Sequence, residues 1–177
     1  GWGGFTQEHV LTRSVQDSAL LLDIAAAPTP GEPYVAPAAA RPFREEVGVD
    51  PGRLTIAVTE DSLLSTDPDP ACRAAVQDAI ALLEDLGHTV VEAKPEIEVE
   101  ALKTTYFLTV AAGVAESVEL ISRQRGTKPR AGDWEDTTWM LAQIGWSTSS
   151  AQLTACRRTA QTAGRVMASF HQQYDLM

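Results

Sequence analysis

Residues 54–91 read LTIAVTEDSLLSTDPDPACRAAVQDAIALLEDLGHTVV, and this stretch decides the class of fold. It opens on Leu54-Thr55-Ile56-Ala57-Val58, a short apolar run with β-branched residues of the kind buried in a parallel sheet. Asp69-Pro70 follows, an N-cap with proline at the first helical position. Cys72, Val76, Ala79, Ile80, Leu83 and Leu86 then mark a helical stripe that stops at Gly87, and Thr89-Val90-Val91 resumes an extended chain. Strand, helix and strand in that order form a right-handed crossover, and helices packed on such strands predict a layered α/β fold.

Outward from this unit the chain is mostly helical. Upstream, Ser14 and Asp17 signal a helix start, and Val15, Ala19, Leu22 and Ala26 recur at helical spacing. This predicts a helix over 15–26 with one face against a sheet, most of which lies outside the chain. Pro28, Pro30 and Pro33 end it, and the Pro- and Ala-rich run to Pro42 reads as an extended surface crossing. Downstream, helices are predicted over about 99–122, 134–144 and 150–174. The last is the clearest, with Ser149 and Gln152 forming a capping box and Leu153, Cys156, Ala160, Ala163, Met167, Phe170 and Tyr174 repeating at three and four residues. No repeat is visible at periods of about 20–50 residues.

Composition narrows the function classes. A chain of 177 residues with 44% hydrophobic and 21% charged residues can bury one sizeable core. No run of about 18 apolar residues could span a bilayer, and residues 1–10 lack the basic start and apolar middle of a signal peptide. The expectation is a cytoplasmic protein. A formal net charge of -10 argues against nucleic acid or an anionic membrane as partner. Acids gather between Glu45 and Glu100 and read as a solvated face. Cys72 and Cys156 fit no metal-ligand spacing and fall on apolar sides of predicted helices, which makes them core thiols. His9, His88 and His171 stand apart, so no metal site is expected, and nothing calls for a cofactor.

Several segments, in order, resemble the amidase-signature family of hydrolases. Arg13, Ser14, Val15, Asp17, Ala19, Leu22 and Asp23 complete the family pattern "R-S-V-x-D-x-A-x-x-L-D". Residues 28–34 are similar to its "G-P-x-P-G-D-P-Y" turn, and residues 51–57 to its "P-L-R-I-G" strand. Leu83 to His88 resembles the "L-x-x-L-G-H" helix end, and Phe170 to Met177 the "F-x-x-Y-D-V-L" lead into a strand. The likeness is weakest over residues 103–147. It implies one segment, 1–177, of an amidase domain: a partial layered mixed sheet with flanking helices, helix-rich, short of the N-terminal catalytic part and the C-terminal strands. The opening GWGGF…HVLTRSV is similar to members of the family that hydrolyse the cyclic dimer of 6-aminohexanoate.

The resemblance also implies a chemistry. Family members hydrolyse carboxylic amides through a serine acyl-enzyme, with a second serine in a cis peptide and a lysine, carried by "K-G" and Gly-Gly-Ser-Ser segments. Neither segment occurs here, since Lys94, Lys103 and Lys128 lack such neighbours. No catalytic residue is therefore assigned to the chain, which is expected to be inactive alone. Ser149-Ser150 and Ser14 read as helix caps rather than nucleophiles, and Arg13 as a loop brace. What the resemblance leaves to the chain is scaffold and substrate-pocket wall for a small-molecule amide, with Phe107, Thr109, Gly113 and Trp139 as the candidates, from a stretch that also holds Tyr106, Trp134 and Trp146. A helical stripe of aromatics is also what a core looks like. Gly113 within a helix costs about 1 kcal/mol against alanine and hints at a close approach. A homodimer is compatible with this reading. Two rivals stand beside it: a non-catalytic amidase-like binding or assembly module, and a flavodoxin-like domain, which would need strand and helix to alternate further than they do.

Overall fold

The structure, a computed structural model, describes residues 4–32, 35–62 and 66–177. Pro33, the third of the prolines expected to end the first helix, lies outside the described residues, as do Tyr34 of the turn motif and the opening Gly1 to Gly3. Two compact units divide at Gly52.

In the first unit, helix α1 spans Val15–Ala25. The Ser14 hydroxyl accepts a hydrogen bond from the Asp17 N–H at 3.1 Å, so this serine is the cap its sequence context predicts. Asp23, the last residue of the matched pattern, accepts from the N–H groups of Phe43 at 2.5 Å and Arg44 at 3.3 Å. Those amides open a 3-10 turn, Phe43–Glu45, whose first N–H groups have no partner inside the turn. The extended crossing is thereby tied back to α1. No residue of α1 is buried, and Val15 and Ile24 are 73% and 69% exposed. The Arg13 guanidinium makes no hydrogen bond or ion pair among the described residues, so the brace expected of it is not seen.

The second unit begins with the crossover. Strands β1 (Thr55–Val58) and β2 (Thr89–Glu92) pair in parallel, with Thr55 opposite Thr89 and Val58 opposite Glu92. Helix α2, Pro70–Asp85, connects them, and Asp69 caps it by accepting from the Ala71 N–H at 2.8 Å. Gly87 ends the helix at φ +89°, a conformation that costs residues with a Cβ, and the chain turns straight into β2. Arg53 Nε donates to the Gly87 carbonyl at 2.6 Å, and the Leu54 N–H donates to His88 Nδ1 at 3.3 Å, locking the start of one strand to the start of the other.

On its other edge β1 meets the end of the chain. The Ala57 N–H donates to the Leu176 carbonyl at 2.9 Å and the Asp175 N–H to the Thr55 carbonyl at 2.8 Å, while the Asp175 carboxylate accepts from the Thr55 N–H at 2.8 Å. The Ile56–Leu176 bridge is parallel as well. Ile56 and Ala57, flanked on both sides, are 6% and 2% exposed.

Three helices follow β2: α3 (Val99–Gln124), α4 (Asp136–Ser147) and α5 (Ser150–Phe170). The core that α3 and α4 share centres on Ala115, Val118 and Ala142, with Val114, Trp134 and Trp139 packed against it, while α5 buries Cys156 and Phe170. Burying a side chain such as Val118 is worth about 1.5–3 kcal/mol. The expected capping box is present, with Ser149 Oγ accepting from the Gln152 N–H at 3.2 Å and the Gln152 side chain accepting from the Ser149 N–H at 2.8 Å.

Three expectations need correction. Cys72 is exposed, because α2 lies against a narrow sheet and has no buried residue, whereas Cys156 is buried between helices as expected. Helix α4 starts at Asp136 instead of Trp134, because a 3-10 turn at Ala131–Asp133 delivers Trp134 to the core in an extended conformation. Helix α5 ends at Phe170 instead of Tyr174, since the chain must turn there to bring Asp175 to β1. Tyr174 keeps its packing all the same, its ring 4.6 Å from that of Phe170.

Candidate functional site

Helices α3 and α4 pack closely because Gly145 has no side chain. A Cβ there would collide with the Ala111 carbonyl oxygen and approach the Ala115 Cβ to 2.6 Å. Two tryptophans of α4, two turns apart, meet on this helix: Trp139 and Trp146 pack edge to face, ring centroids 5.3 Å apart and planes at 76°. Trp146 is 40% exposed, and its indole N–H donates to the Glu119 carboxylate on α3 at 2.8 Å. At the other end of the pair the Arg125 guanidinium lies 5.9 Å from the Trp134 ring centre, a cation-π distance. Among the described residues the buried Trp134 indole N–H has no hydrogen-bond partner.

The sequence candidates are spread along this helix pair. Trp139 is half-buried against the Ala115, Val118 and Ala142 cluster. Thr109 is also half-buried, and its hydroxyl donates to the Thr105 carbonyl at 2.7 Å. Gly113 follows one turn later on the same side of α3, as a spacing of four residues requires. Phe107 is 44% exposed and lies two residues from Thr109, which turns it to nearly the opposite face. Thr109 and Gly113 thus share a face, and Trp139 sits further along, towards Val118. Of the other aromatics in the stretch, Tyr106 is 47% exposed.

Sequence reasoning missed Glu119, which orients Trp146, and Gly145, which sets the helix separation. The second was detectable. Ile144-Gly145-Trp146 places a glycine inside a helical pattern, the same signal that Gly113 carries.

A second constellation lies beyond the carboxyl ends of β1 and β2, where open α/β sheets place ligands. Lys94 follows β2 and bonds Asp61, which follows β1, at 2.5 Å. Arg73 on α2 pairs with Asp67 at 2.6 Å and Glu60 at 3.5 Å, and Gln77 also bonds Glu60. The hydrogen bond from Lys94, and then its charge, hold the Asp61 carboxyl below the usual aspartate range, and Asp61 raises Lys94 in return. Asp61, Asp67, Arg73 and Lys94 line an open cavity of about 500 Å³. They are exposed and mutually neutralised, which is the behaviour of a solvated brace. Among the described residues no group of His, Cys, Asp or Glu is arranged to hold a metal ion, and no helix is long and apolar enough to cross a membrane.

The described residues thus form a parallel strand–helix–strand crossover followed by three packed helices, with Ser14 and Ser149 serving as helix caps. A model of the family described as Amidase matches residues 3–176, and the chain belongs to that family. It is 30% identical over 177 residues to a 6-aminohexanoate-cyclic-dimer hydrolase of Pseudomonas sp. (strain NK87), covering 98% of this chain and 36% of the relative. It is 35% identical over 123 residues to a lipoamidase of Enterococcus faecalis, covering 69% of this chain and 17% of the relative. A solved structure of 6-aminohexanoate cyclic dimer hydrolase superposes with a TM-score of 0.80 at 27% identity over 92% of this chain and 34% of that one. A structure of 6-aminohexanoate cyclic dimer hydrolase complexed with substrate matches equally well. The chain thus spans about a third of the length of the hydrolases it matches.

Proposed function

We propose that the chain is part of an amidase that hydrolyses carboxylic amides through a serine acyl-enzyme, with a Ser–cisSer–Lys triad lying outside residues 1–177. The observation that carries this reading is the superposition over 92% of the chain on a hydrolase of a cyclic amide. In this reading the chain contributes scaffold and substrate-pocket wall, with Thr109 and Gly113 on one face of α3 and Trp139 further along as candidates, Phe107 serving a separate contact on the opposite face, and is inactive alone. The chemistry of these residues suits such a wall, because an aliphatic amide is mostly apolar and aromatic side chains offer it contact area without a charge to be desolvated. The Trp139–Trp146 pair, with its indole pinned by Glu119, gives that wall a fixed shape.

The test begins with the natural gene product. Its intact mass and the sequence preceding Gly1 are expected to reveal a lysine segment and a Gly-Gly-Ser-Ser run. A fluorophosphonate probe should then label one serine outside 1–177 and leave the 177-residue chain unmodified. Stoichiometric labelling of Ser149 or Ser150 would overturn the reading, because both are placed here as the start of α5. A product that begins at Gly1 and ends at Met177 would instead favour the non-catalytic binding module.

A further inference from the structure

The crossing of α3 and α5 holds a cavity of about 240 Å³ that the proposed pocket wall does not use. Its floor is apolar, built by Ile97, Leu102, Ala163 and Val166, and its rim carries Arg158 from α5 and Glu96 and Glu98 from the segment leading into α3. Among the described residues the side chains of Arg158, Glu96 and Glu98 have neither ion pair nor hydrogen bond. That sets Arg158 apart from Arg41, Arg73 and Lys94, each of which holds a carboxylate at 2.5–2.6 Å. Among the described residues a cation and two carboxylates therefore stand unneutralised on facing elements, with an apolar gap between them. The volume is below that of a drug-sized pocket, which calls for a small ligand.

We propose that this cavity binds a short aliphatic ω-amino acid, its carboxylate at Arg158, its ammonium at Glu96 and Glu98, and its methylenes on the floor. An arginine fork suits a carboxylate, and the pairing of both ends with opposite charges selects against a monoacid or a monoamine. The choice of ligand rests on the amidase reading, because cleaving an aliphatic amide releases these two groups; the cavity itself does not.

Binding and turnover are measured separately, so failure of one reading is distinguishable from failure of the other. The natural gene product is titrated with 6-aminohexanoate, hexanoate and hexylammonium while the methyl resonances of Leu102 and Val166 are followed by NMR. Saturable shifts are expected with 6-aminohexanoate, and binding about three- to fivefold weaker for each single-charge analogue. Arg158→Gln should weaken 6-aminohexanoate and hexanoate by about tenfold and leave hexylammonium unchanged. Glu98→Gln should weaken 6-aminohexanoate and hexylammonium only. Both side chains are exposed, and an unchanged circular dichroism spectrum verifies folding. Absence of saturation at tens of millimolar, equal affinity for the three probes, or indifference to both substitutions would overturn the proposal, whatever a hydrolysis assay shows.

Discussion

Single residues in this chain act mainly through backbone groups that would otherwise lack partners. Ser149 is one case: its hydroxyl and the Gln152 side chain satisfy two amides at the start of α5. Ser149→Ala should lower stability by about 1 kcal/mol in urea titration and leave reactivity towards fluorophosphonate unchanged. Lys94 and Asp61 act differently, side chain to side chain, with an electrostatic consequence. The Asp61 carboxyl is lowered, so its contribution is present above the ordinary aspartate value and is lost as pH falls through the depressed one. Lys94 is raised, so its contribution is lost only as pH rises through its elevated value. Lys94→Met should therefore move the Asp61 titration upward, towards the ordinary aspartate range, as followed by carboxyl-carbon NMR. Because the pair is exposed, added salt should shrink the difference.

At the level of elements, the α3–α4 contact depends on the absence of a side chain. Gly145→Ala forces a methyl group onto the Ala111 carbonyl oxygen and the Ala115 Cβ, and the helices must separate. A loss of about 1–3 kcal/mol is expected from denaturant unfolding, in contrast to the gain that the helix propensity of alanine would bring at an open site. Glu119→Ala removes the acceptor of the Trp146 indole without touching the core. The near-ultraviolet circular dichroism of the Trp139–Trp146 pair should weaken while the far-ultraviolet spectrum is kept, which separates loss of ring orientation from loss of helix.

Across the whole molecule, apolar surface remains open in both units. Leu11 (104%), Val15 (73%) and Ile24 (69%) are exposed in the first, and Leu82 (58%) and Leu86 (64%) in the second. Exposure on this scale favours association. The isolated chain should show concentration-dependent oligomers in sedimentation velocity, and Val15→Gln with Ile24→Gln should reduce them. The open surface on α2 also explains why Cys72 is exposed despite its place on the apolar stripe: a stripe reports which residues share a face, and a narrow sheet covers too little of that face to bury the first turn.

The crossover over 54–91, the caps at Ser14, Asp69 and Ser149, the stop at Gly87 and the helical character of residues 99–170 were all legible in the order of residues, because each depends on neighbours within one or two turns. The family was legible for the same reason, through local patterns such as residues 13–23 and 83–88. Contacts across long separations were not. The pairing of Asp175 and Leu176 with β1, the grip of Asp23 on the Phe43 turn, the hold of Glu119 on Trp146 and the cavity between α3 and α5 join residues whose proximity no periodicity encodes. The tertiary structure alone decided them, because packing direction is set where helices meet, at positions such as Gly145, and only there do distant side chains become neighbours.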